Sequence, residues 1–308
     1  MLNRGRVGRI FQRGPRPLNR AHPVDLAESL EHEERLDAPA RIIASAVRKV
    51  LPPGPIKDAL HGVPFGHPVH APLTDFPIGC WTATAVLDLI PGTQKASTVL
   101  VGAGLAGAVP TALTGLSDWA MLHREQQRVG LAHALGTATA STLFTASLIA
   151  RLRGRHGIGK LLSLAGLTAL GSGAYLGGHL AFRLAAGANH AESVTHLVPL
   201  GWHDLCPADE LPDGHPVHRR LGYISLFVLR TDDEVHVLAD RCAHLGGPLH
   251  QGRVALIENE GICVVCPWHG STFRVEDGSV LHGPATARQP AFETRITEDG
   301  ILQVRPLG

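Results

Sequence analysis

Charged side chains are scarce in this chain of 308 residues, and the scarcity is concentrated in one long stretch. Asp, Glu, Lys and Arg make up 18% of the residues, and few of them lie between residues 71 and 185. The formal net charge is +1, so the chain lacks the overall excess of positive charge that indicates binding to nucleic acid. A stretch this poor in charge is typical of a membrane domain or of a deeply buried helical core.

An apolar run is also missing from the N-terminus. Residues 1–20 contain six Arg and no acidic residue, and no hydrophobic segment follows them. A secretory signal requires that hydrophobic segment, so we expect none here. The composition predicts instead a basic, disordered arm over residues 1–38.

The charge-poor stretch contains four apolar segments, each close to the length of about 20 residues that crosses a bilayer core. They occupy residues 71–90, 96–116, 130–150 and 161–182. The alternative is the helical bundle of a soluble protein, because the segments contain many Thr and Ser. Four consecutive segments without a charged face favour a four-span transmembrane domain over residues 71–185.

Residues 39–70, which precede the first apolar segment, contain an amphipathic helix and a His-Pro entry segment. Between Arg41 and Leu51, aliphatic residues lie among cationic ones, which is typical of a helix on an anionic membrane surface. A helix that packs on the bundle through its apolar face would have the same pattern, so both interpretations remain open.

Basic residues that flank the segments predict the orientation of the domain in the membrane. Arg41, Arg48, Arg124 and Arg128 lie on the side of the N-terminus, whereas the connection 151–160 carries an opposing basic cluster. Four crossings place both ends of the chain on one face. We expect that face to be the cytoplasmic side of a bacterial inner membrane.

Three histidines fall at similar depth in the predicted spans, on the side of the C-terminal region. His70 opens the first segment, His133 lies near the start of the third, and His179 lies near the end of the fourth. Ionisable groups in spans indicate function, and facing histidines could ligate a b-type haem or another metal. The alternative is that these rings hydrogen-bond to neighbouring helices or lipid headgroups.

Two short Cys–His pairs near the C-terminus carry the clearest chemical signal. They are Cys242-Ala-His244 and Cys266-Pro-Trp-His269, and each lies in a loop rich in Gly and Pro. Two thiolates and two imidazoles are the ligand set of a Rieske [2Fe–2S] centre. The same four ligands can bind zinc, but zinc fingers group Cys with Cys and His with His. The mixed pairs therefore favour an iron–sulfur site.

Through these loops, residues 198–308 resemble the Rieske domains of the ferredoxin-like kind, which are all-β. The resemblance implies that the two cysteines bind one iron of a [2Fe–2S] cluster and that the two histidines bind the other. Residues 186–197 are then expected to be a linker. The predicted fold class is thus multi-domain, with an all-α four-helix transmembrane bundle followed by an all-β Rieske domain.

The loops differ from those of high-potential members of that family, in which a disulfide joins the loops and a Ser and a Tyr hydrogen-bond to the cluster. Gly247 and Trp268 stand in the region of the disulfide cysteines. Ser271 is retained, but Phe273 replaces the Tyr. We expect these residues and Gly246 to tune the cluster. Fewer hydrogen bonds to sulfur predict a low reduction potential, about −150 mV.

The start of the membrane region carries a second resemblance. The run Gly66-His-Pro-Val-His70, followed by Asp75-Phe-Pro-Ile-Gly79, resembles the signature of a family of four-helix bacterial membrane domains. That family has no settled function, so the resemblance implies topology rather than chemistry.

The combined pattern predicts a membrane-anchored one-electron carrier. A reductase or a quinol would reduce the cluster, and an unidentified acceptor would oxidise it, with His244 and His269 as exposed electron ports. The alternative is a redox or iron–sulfur sensor whose cluster state alters the membrane domain. A Rieske oxygenase is not expected, because it needs a large catalytic domain with a mononuclear iron. The sequence predicts no catalytic residue and does not determine the oligomeric state.

Overall fold

The structure is a computed structural model, and it describes residues 23–232 and 234–306. Helices come first along the chain and strands follow. The helices are α1 (Pro23–Glu31), α2 (Asp37–Val50), α3 (Pro55–His61), α4 (His70–Leu87), α5 (Gln94–Trp119), α6 (Arg124–Leu152), α7 (His156–Gly178) and α8 (Val194–Leu197). The strands are β1 (His203–Pro207), β2 (Val217–Leu221), β3 (Ile224–Thr231), β4 (Glu234–Ala239), β5 (Arg253–Ile257), β6 (Gly261–Val265), β7 (Thr272–Arg274), β8 (Val280–His282), β9 (Ala291–Ile296) and β10 (Ile301–Pro306).

The strands form two antiparallel sheets. The larger sheet has the order β1-β10-β9-β4-β3-β2, and the smaller one has the order β5-β6-β7-β8. One hydrophobic core lies between the sheets around Phe227, Leu238 and Phe273. A second core covers the other face of the larger sheet. The predicted order of a helical region followed by an all-β domain is therefore confirmed.

The four longest helices form two hairpins, in which α4 packs on α5 and α6 packs on α7. The turns within the hairpins use Gly92 and Gly154, whose φ angles of 86° and 75° suit glycine. Each helix of the second hairpin also begins or ends beyond the predicted apolar segment. Polar flanks such as residues 124–129 continue the helix, and hydrophobicity alone does not mark where it stops.

The two hairpins repeat one another in the placement of a histidine. In α4, His70 Nδ1 bonds the carbonyl oxygen of Thr111 at 2.9 Å. In α6, His133 Nδ1 bonds the carbonyl oxygen of Gly173 at 2.7 Å. Each ring lies on a glycine one turn further along the second helix of its own hairpin, and these glycines are Gly115 and Gly177.

An aromatic residue follows each of these histidines at the same spacing, Trp81 in α4 and Phe144 in α6. The two rings stack on each other with centroids 4.2 Å apart and planes inclined by 9°. Trp81 also lies on Gly104 of α5, and Phe144 lies on Gly166 of α7, so close that a Cβ atom at either glycine would crowd the ring. The stack therefore marks the centre of an interface between two similar hairpins.

A third pair of equivalent positions holds opposite charges. Asp88 follows Trp81 at the spacing at which Arg151 follows Phe144. The two side chains form a bidentate ion pair, in which Arg151 Nη1 donates to Asp88 Oδ1 at 2.9 Å and Nη2 donates to Oδ2. Lys160 donates to the backbone oxygen of Asp88. The ion pair closes the end of the bundle that is remote from the strands.

Beside its apolar centre, the bundle buries polar side chains, and it exposes large apolar ones. Its buried polar side chains come from all four helices, and they include Thr84, Ser97, Ser147 and Ser163. Its exposed apolar side chains are Val86, Val99, Val109, Leu113, Leu135, Ile149, Leu161 and Leu164, of which Leu135 is 70% exposed. This arrangement is the opposite of the one that water favours.

Among the described helices, two are long and apolar enough to cross a membrane. They are α5 and the segment His156–Arg183, which is α7 with the π-helical turn His179–Arg183. Helix α6 is long enough, but charged and polar residues occupy its first turns. The expected bundle of four spans is therefore supported for two of its helices.

The disordered arm expected over residues 1–38 is partly replaced by structure. Residues 1–22 lie outside the described residues, but residues 23–38 contain α1 and the start of α2. The reason is an ion pair that composition does not reveal, since Arg128 of α6 donates to both carboxylate oxygens of Asp37 at 2.6 and 2.9 Å. Arg128 also donates to the backbone oxygen of Glu31 at 2.7 Å.

Helix α2 combines the two interpretations that the sequence left open. Its Ala40 and Ala44 are buried against Trp119 and Ala120, so one face packs on the bundle. Ile42 on another face is 69% exposed. The helix is therefore packed against the bundle and still presents an apolar surface to the outside.

Residues 186–197, expected to be a linker, pack into the strand domain. The backbone N–H of His190 donates to the carbonyl oxygen of Ala243 at 2.8 Å. Ala191 is fully buried in the core between the sheets, and Val194 is buried in the second core. The all-β domain therefore begins before residue 198, and the free connection to the bundle is shorter than expected.

Candidate metal centre

The two Cys–His pairs lie in loops of the same construction. One loop follows β4, and the other joins β6 to β7. In the first, Gly246 N donates to Cys242 O and Cys242 N donates to Gly247 O, at 2.8 and 2.9 Å. In the second, Gly270 N donates to Cys266 O and Cys266 N donates to Ser271 O, at 3.1 and 2.8 Å.

Both turns need a glycine with positive φ, which is 76° at Gly246 and 79° at Gly270. A second glycine of the first loop allows the loops to approach each other. A Cβ atom on Gly247 would lie 2.9 Å from Cys266 Sγ and 3.1 Å from the ring of Trp268. Gly247 therefore keeps open the space in which the loops meet.

The loops bring the four candidate ligands together in two pairs. The rings of His244 and His269 have centroids 5.0 Å apart and are perpendicular. A hydrogen bond between the thiols of Cys242 and Cys266, followed by burial, raises the pKa of Cys242. That hydrogen bond, opposed by burial and helped by nearby backbone N–H groups, lowers the pKa of Cys266 to about 7. The two thiols therefore lie next to each other, and cysteine binds a metal as the thiolate.

Both imidazoles are held in the neutral form that binds iron. Burial, followed by the neighbouring His269, lowers the pKa of His244. Burial, followed by the charges of His123, Arg48 and Lys57, lowers the pKa of His269 to about 4. The Nδ1 atom of His244 is buried without a hydrogen-bond partner among the described residues, so it is available to bind a metal.

The residues present fit a [2Fe–2S] cluster. Two cysteines would hold one iron and two neutral histidines would hold the other. Across residues 23–232 and 234–306, no three His, Cys, Asp or Glu side chains are placed to hold one metal ion.

The candidate tuning residues surround these ligands. The Ser271 hydroxyl oxygen accepts a hydrogen bond from Ala285 N at 2.9 Å, which leaves its own hydrogen free to donate. Phe273 is fully buried in the core that also contains Cys242 and Cys266. A tyrosine at this position would therefore bring a hydroxyl close to the buried site.

Gln289 supports the first loop and was not predicted from the sequence. Its Oε1 accepts from Ala243 N at 2.9 Å, and its Nε2 donates to the backbone oxygens of Ala239 and Arg241, both at 2.7 Å. The side chain is 1% exposed. Gln289 lies far from the loop in sequence, and nothing in its local sequence signals the role.

His244 and His269 are less exposed than the sequence predicts, whereas their role as electron ports stays a prediction. Both are half-buried, because the helical region covers this edge of the strand domain. His123, which precedes α6, has its ring 5.9 Å from that of His269 and 5.4 Å from that of Trp268, measured between centroids. Its backbone N–H is fixed by Gln126 Oε1 at 2.9 Å.

An interdomain carboxylate holds the strand domain in this position. Asp58 of α3 bonds His282 Nδ1 through Oδ2 and accepts from Gly283 N through Oδ1, both at 2.9 Å. The neighbouring His61 is fully buried and bonds Asp118 Oδ1 at 2.6 Å. Neither Asp58 nor His123 could be predicted from local sequence, because their partners lie more than a hundred residues away.

The three histidines proposed for haem each have a separate protein partner. His70 and His133 bond backbone carbonyls of α5 and α7, and His179 Nε2 bonds Glu31 Oε1 at 2.7 Å. His70 and His133 occupy equivalent positions of the two hairpins, whereas Ser117 is the equivalent of His179. The haem therefore has no support here, and hydrogen bonding between helices accounts for the three rings.

Comparison with known proteins assigns both parts of the chain. Residues 201–293 match the Rieske [2Fe-2S] domain. Residues 66–190 match a family described as predicted membrane protein (DUF2231).

Similarity to individual proteins extends over about a third of the chain. Apoptosis-inducing factor 3 of Mus musculus is 27% identical over 97 residues, which are 32% of this chain and only 15% of that protein. Ferredoxin CarAc of Metapseudomonas resinovorans is 29% identical over 102 residues, which are 32% of this chain and 90% of that protein. The solved ferredoxin of carbazole 1,9a-dioxygenase from Nocardioides aromaticivorans IC177 is 21% identical, with coverage of 34% of this chain and 98% of that one and a TM-score of 0.31.

Proposed function

Since residues 201–293 are a Rieske [2Fe–2S] domain and residues 66–190 are a predicted membrane protein domain (DUF2231), we propose that this protein is a membrane-anchored one-electron carrier. The observation that carries the proposal is the donor set of Cys242, Cys266, His244 and His269, with the His244 Nδ1 atom buried and unpartnered among the described residues. When bound, a Rieske cluster supplies reversible uptake of one electron.

The residues around the ligands have distinct tasks in this proposal. The paired loops position the four ligands, and Gln289 stabilises the first loop by hydrogen bonding to its backbone. The Ser271 hydroxyl is free to donate a hydrogen bond toward the ligand set. Electrons would come from a reductase or a quinol and leave to an acceptor that is not identified.

Anchoring by four spans is supported by the inverted burial pattern of the bundle. All four long helices bury Ser or Thr side chains and expose large aliphatic ones. In lipid, exposed aliphatic surface has no cost and small interior residues allow close packing. The proposal therefore includes α4 and α6 as spans beside α5 and α7.

We orient the bundle with the Rieske domain on the cytoplasmic face. Arg41, Arg48 and Arg124 are exposed on that face. In the opposing cluster at 151–160, Arg151 is paired with Asp88, whereas Arg153, Arg155 and Lys160 keep their charges. We base the orientation on the exposed arginines of the Rieske side, against which these three charges stand.

A sensor is the second candidate function, and one contact favours it. His123 precedes α6, and its ring lies next to those of Trp268 and His269. A structural change at the cluster edge could therefore be transmitted to the helical domain. A carrier would exchange electrons in repeated turnover with a reductase. A sensor would show a single reduction step and an altered helical domain.

The direct test is the EPR spectrum of the reduced, detergent-purified protein together with its optical spectrum. Cys242→Ser and His269→Ala should each abolish the reduced Rieske signal while the protein remains in the membrane fraction. Cys263→Ser is the matched control, since Cys263 is a buried thiol close to Cys266 in sequence that is not among the proposed ligands. A normal signal in His269→Ala would refute the ligand assignment.

A further inference from the structure

A buried lysine lies where the helical domain meets the Rieske domain. Lys57 of α3 is 9% exposed. Its ammonium group donates to the sulfur of Met121 at 4.0 Å, and within the described part of the chain it has no carboxylate within ion-pair distance. Burying a cation without a close anion is destabilising, because the charge loses its hydration without a compensating partner. Stability of the fold does not explain such a residue.

The position of Lys57 is fixed by its neighbours on both sides. The next residue, Asp58, binds His282 and Gly283 of the Rieske domain. Met121 lies just before His123, whose ring faces His269. Lys57 is therefore held between the docking contact and the edge that carries the histidine ligands.

Two further cationic or ionisable groups lie on the same side of that edge. Arg48 of α2 is anchored by a hydrogen bond from Nη1 to Ala120 O at 2.8 Å, at the end of α5. His123 touches the ring of His269. Arg48 and Lys57 contact Ala120 and Met121, so both cations lie at the end of α5 from which the chain continues to His123 and the ligand edge.

We propose that Lys57 and Arg48 form a cationic collar through which the helical domain raises the reduction potential of the docked cluster. The inference rests on the proposed one-electron function. When one electron arrives from the donor, the site gains one negative charge, and no bond is made or broken. Fixed positive charge in a partly buried site stabilises that added charge and is poorly screened by salt.

The collar acts against the effect of the missing hydrogen bonds. Phe273 in place of a Tyr lowers the potential, whereas the collar raises it. Full-length protein should therefore have a higher potential than the sulfur hydrogen bonds alone would give.

The test is a redox titration of full-length protein in detergent, followed by EPR. Lys57→Met should lower the midpoint potential and reduce the equilibrium constant for reduction by roughly tenfold, the order of effect expected when a unit charge is removed from a partly buried site with an effective dielectric constant of about 20. Lys57→Arg keeps the charge and should restore most of the potential. Because Lys57→Met removes a costly buried charge, the variant should fold.

Lys49→Met is the matched control, because Lys49 is an exposed cation of α2 next to Arg48. It should leave the potential almost unchanged, while Arg48→Met should lower it less than Lys57→Met does. Equal potentials in wild type and Lys57→Met, or an equal shift in Lys49→Met, would overturn the collar. Absence of a Rieske signal in wild type would instead overturn the proposed function.

Discussion

Two buried cations at opposite ends of the helical domain have opposite surroundings. At the end remote from the Rieske domain, Arg151 is buried and its guanidinium is matched by both oxygens of Asp88. At the end that meets the Rieske domain, Lys57 is buried beside a methionine sulfur. Paired charge can hold a bundle together, whereas unpaired charge is costly. The difference separates a structural cation from one placed for the redox site.

The internal repeat shows a second difference within the bundle, between residues that bond inside one hairpin and residues that join the two hairpins. Where the hairpins carry the same residue, as at His70 and His133, the side chain bonds within its own hairpin. Where they carry opposite residues, as at Asp88 and Arg151, the side chains join the hairpins. Departures from the repeat therefore indicate where the two halves hold each other.

The largest expected effect is the difference between reporter proteins placed at the two ends of the helical domain, because one end should face the cytoplasm and the other the periplasm. A fluorescent protein that folds only in the cytoplasm should be bright when attached after Gly308. A phosphatase that works only in the periplasm should be active when inserted near Gly157. The reverse pattern at both sites would invert the molecule, and a protein that is soluble without detergent would refute membrane anchoring.

Breaking the remote ion pair should cost the most stability. Arg151→Met leaves Asp88 buried without its partner and should destabilise the bundle by about 3–5 kcal/mol. Thermal unfolding in detergent measures the loss. The double variant Asp88→Leu with Arg151→Met should recover most of it. A single variant as stable as wild type would mean that the pair is not buried from water.

Removing the Asp58 carboxylate, which bonds the Rieske domain, should have a smaller effect. We expect it only at the end of the helical domain that meets the Rieske domain. Asp58→Ala loses two hydrogen bonds to a charged group, worth about 2–3 kcal/mol of interaction between the domains. The rate of amide hydrogen exchange in the 267–270 loop should rise. The midpoint potential should fall, in the direction predicted for Lys57→Met. Asp209→Ala, at an exposed site of the Rieske domain, is the control. Unchanged exchange in Asp58→Ala would show that other contacts hold the domain.

The smallest effects should come from hydrogen bonds at the cluster itself. Phe273→Tyr should raise the midpoint potential and Ser271→Ala should lower it. Each change corresponds to one hydrogen bond of about 1 kcal/mol, or roughly fivefold in the equilibrium constant for reduction. Voltammetry measures both. If neither variant differs from wild type, the charges of the helical domain rather than hydrogen bonds set the potential.

The ligand loops were predictable because their chemistry is local. Each Cys–His pair and its glycines lie within a few consecutive residues, so spacing alone places the donors together. The packing of the helical region over these ligands was not predictable, because His123 and Asp58 are far in sequence from the Rieske residues that they contact. The expectation of exposed histidines failed for that reason.

The helical region shows the same division. The apolar segments located the four long helices, since hydrophobicity is a property of the segment itself. Residues 23–38 were misjudged because Asp37 is ordered by Arg128, a partner far along the chain. The repeat, in contrast, left a readable signal in the matching intervals from His70 to Trp81 and from His133 to Phe144, and it was overlooked.

The burial of Ala191 limits how far the Rieske domain can travel. Only the stretch 184–190 separates the π-helical turn from the first residue embedded in the Rieske core, and even fully extended it would span roughly 25 Å. Part of this stretch is itself tied down, because Gln126 Nε2 donates to Leu184 O at 2.8 Å. A connection of this length keeps the Rieske domain near the bundle, so in the proposed carrier both donor and acceptor would have to bind close to the bundle.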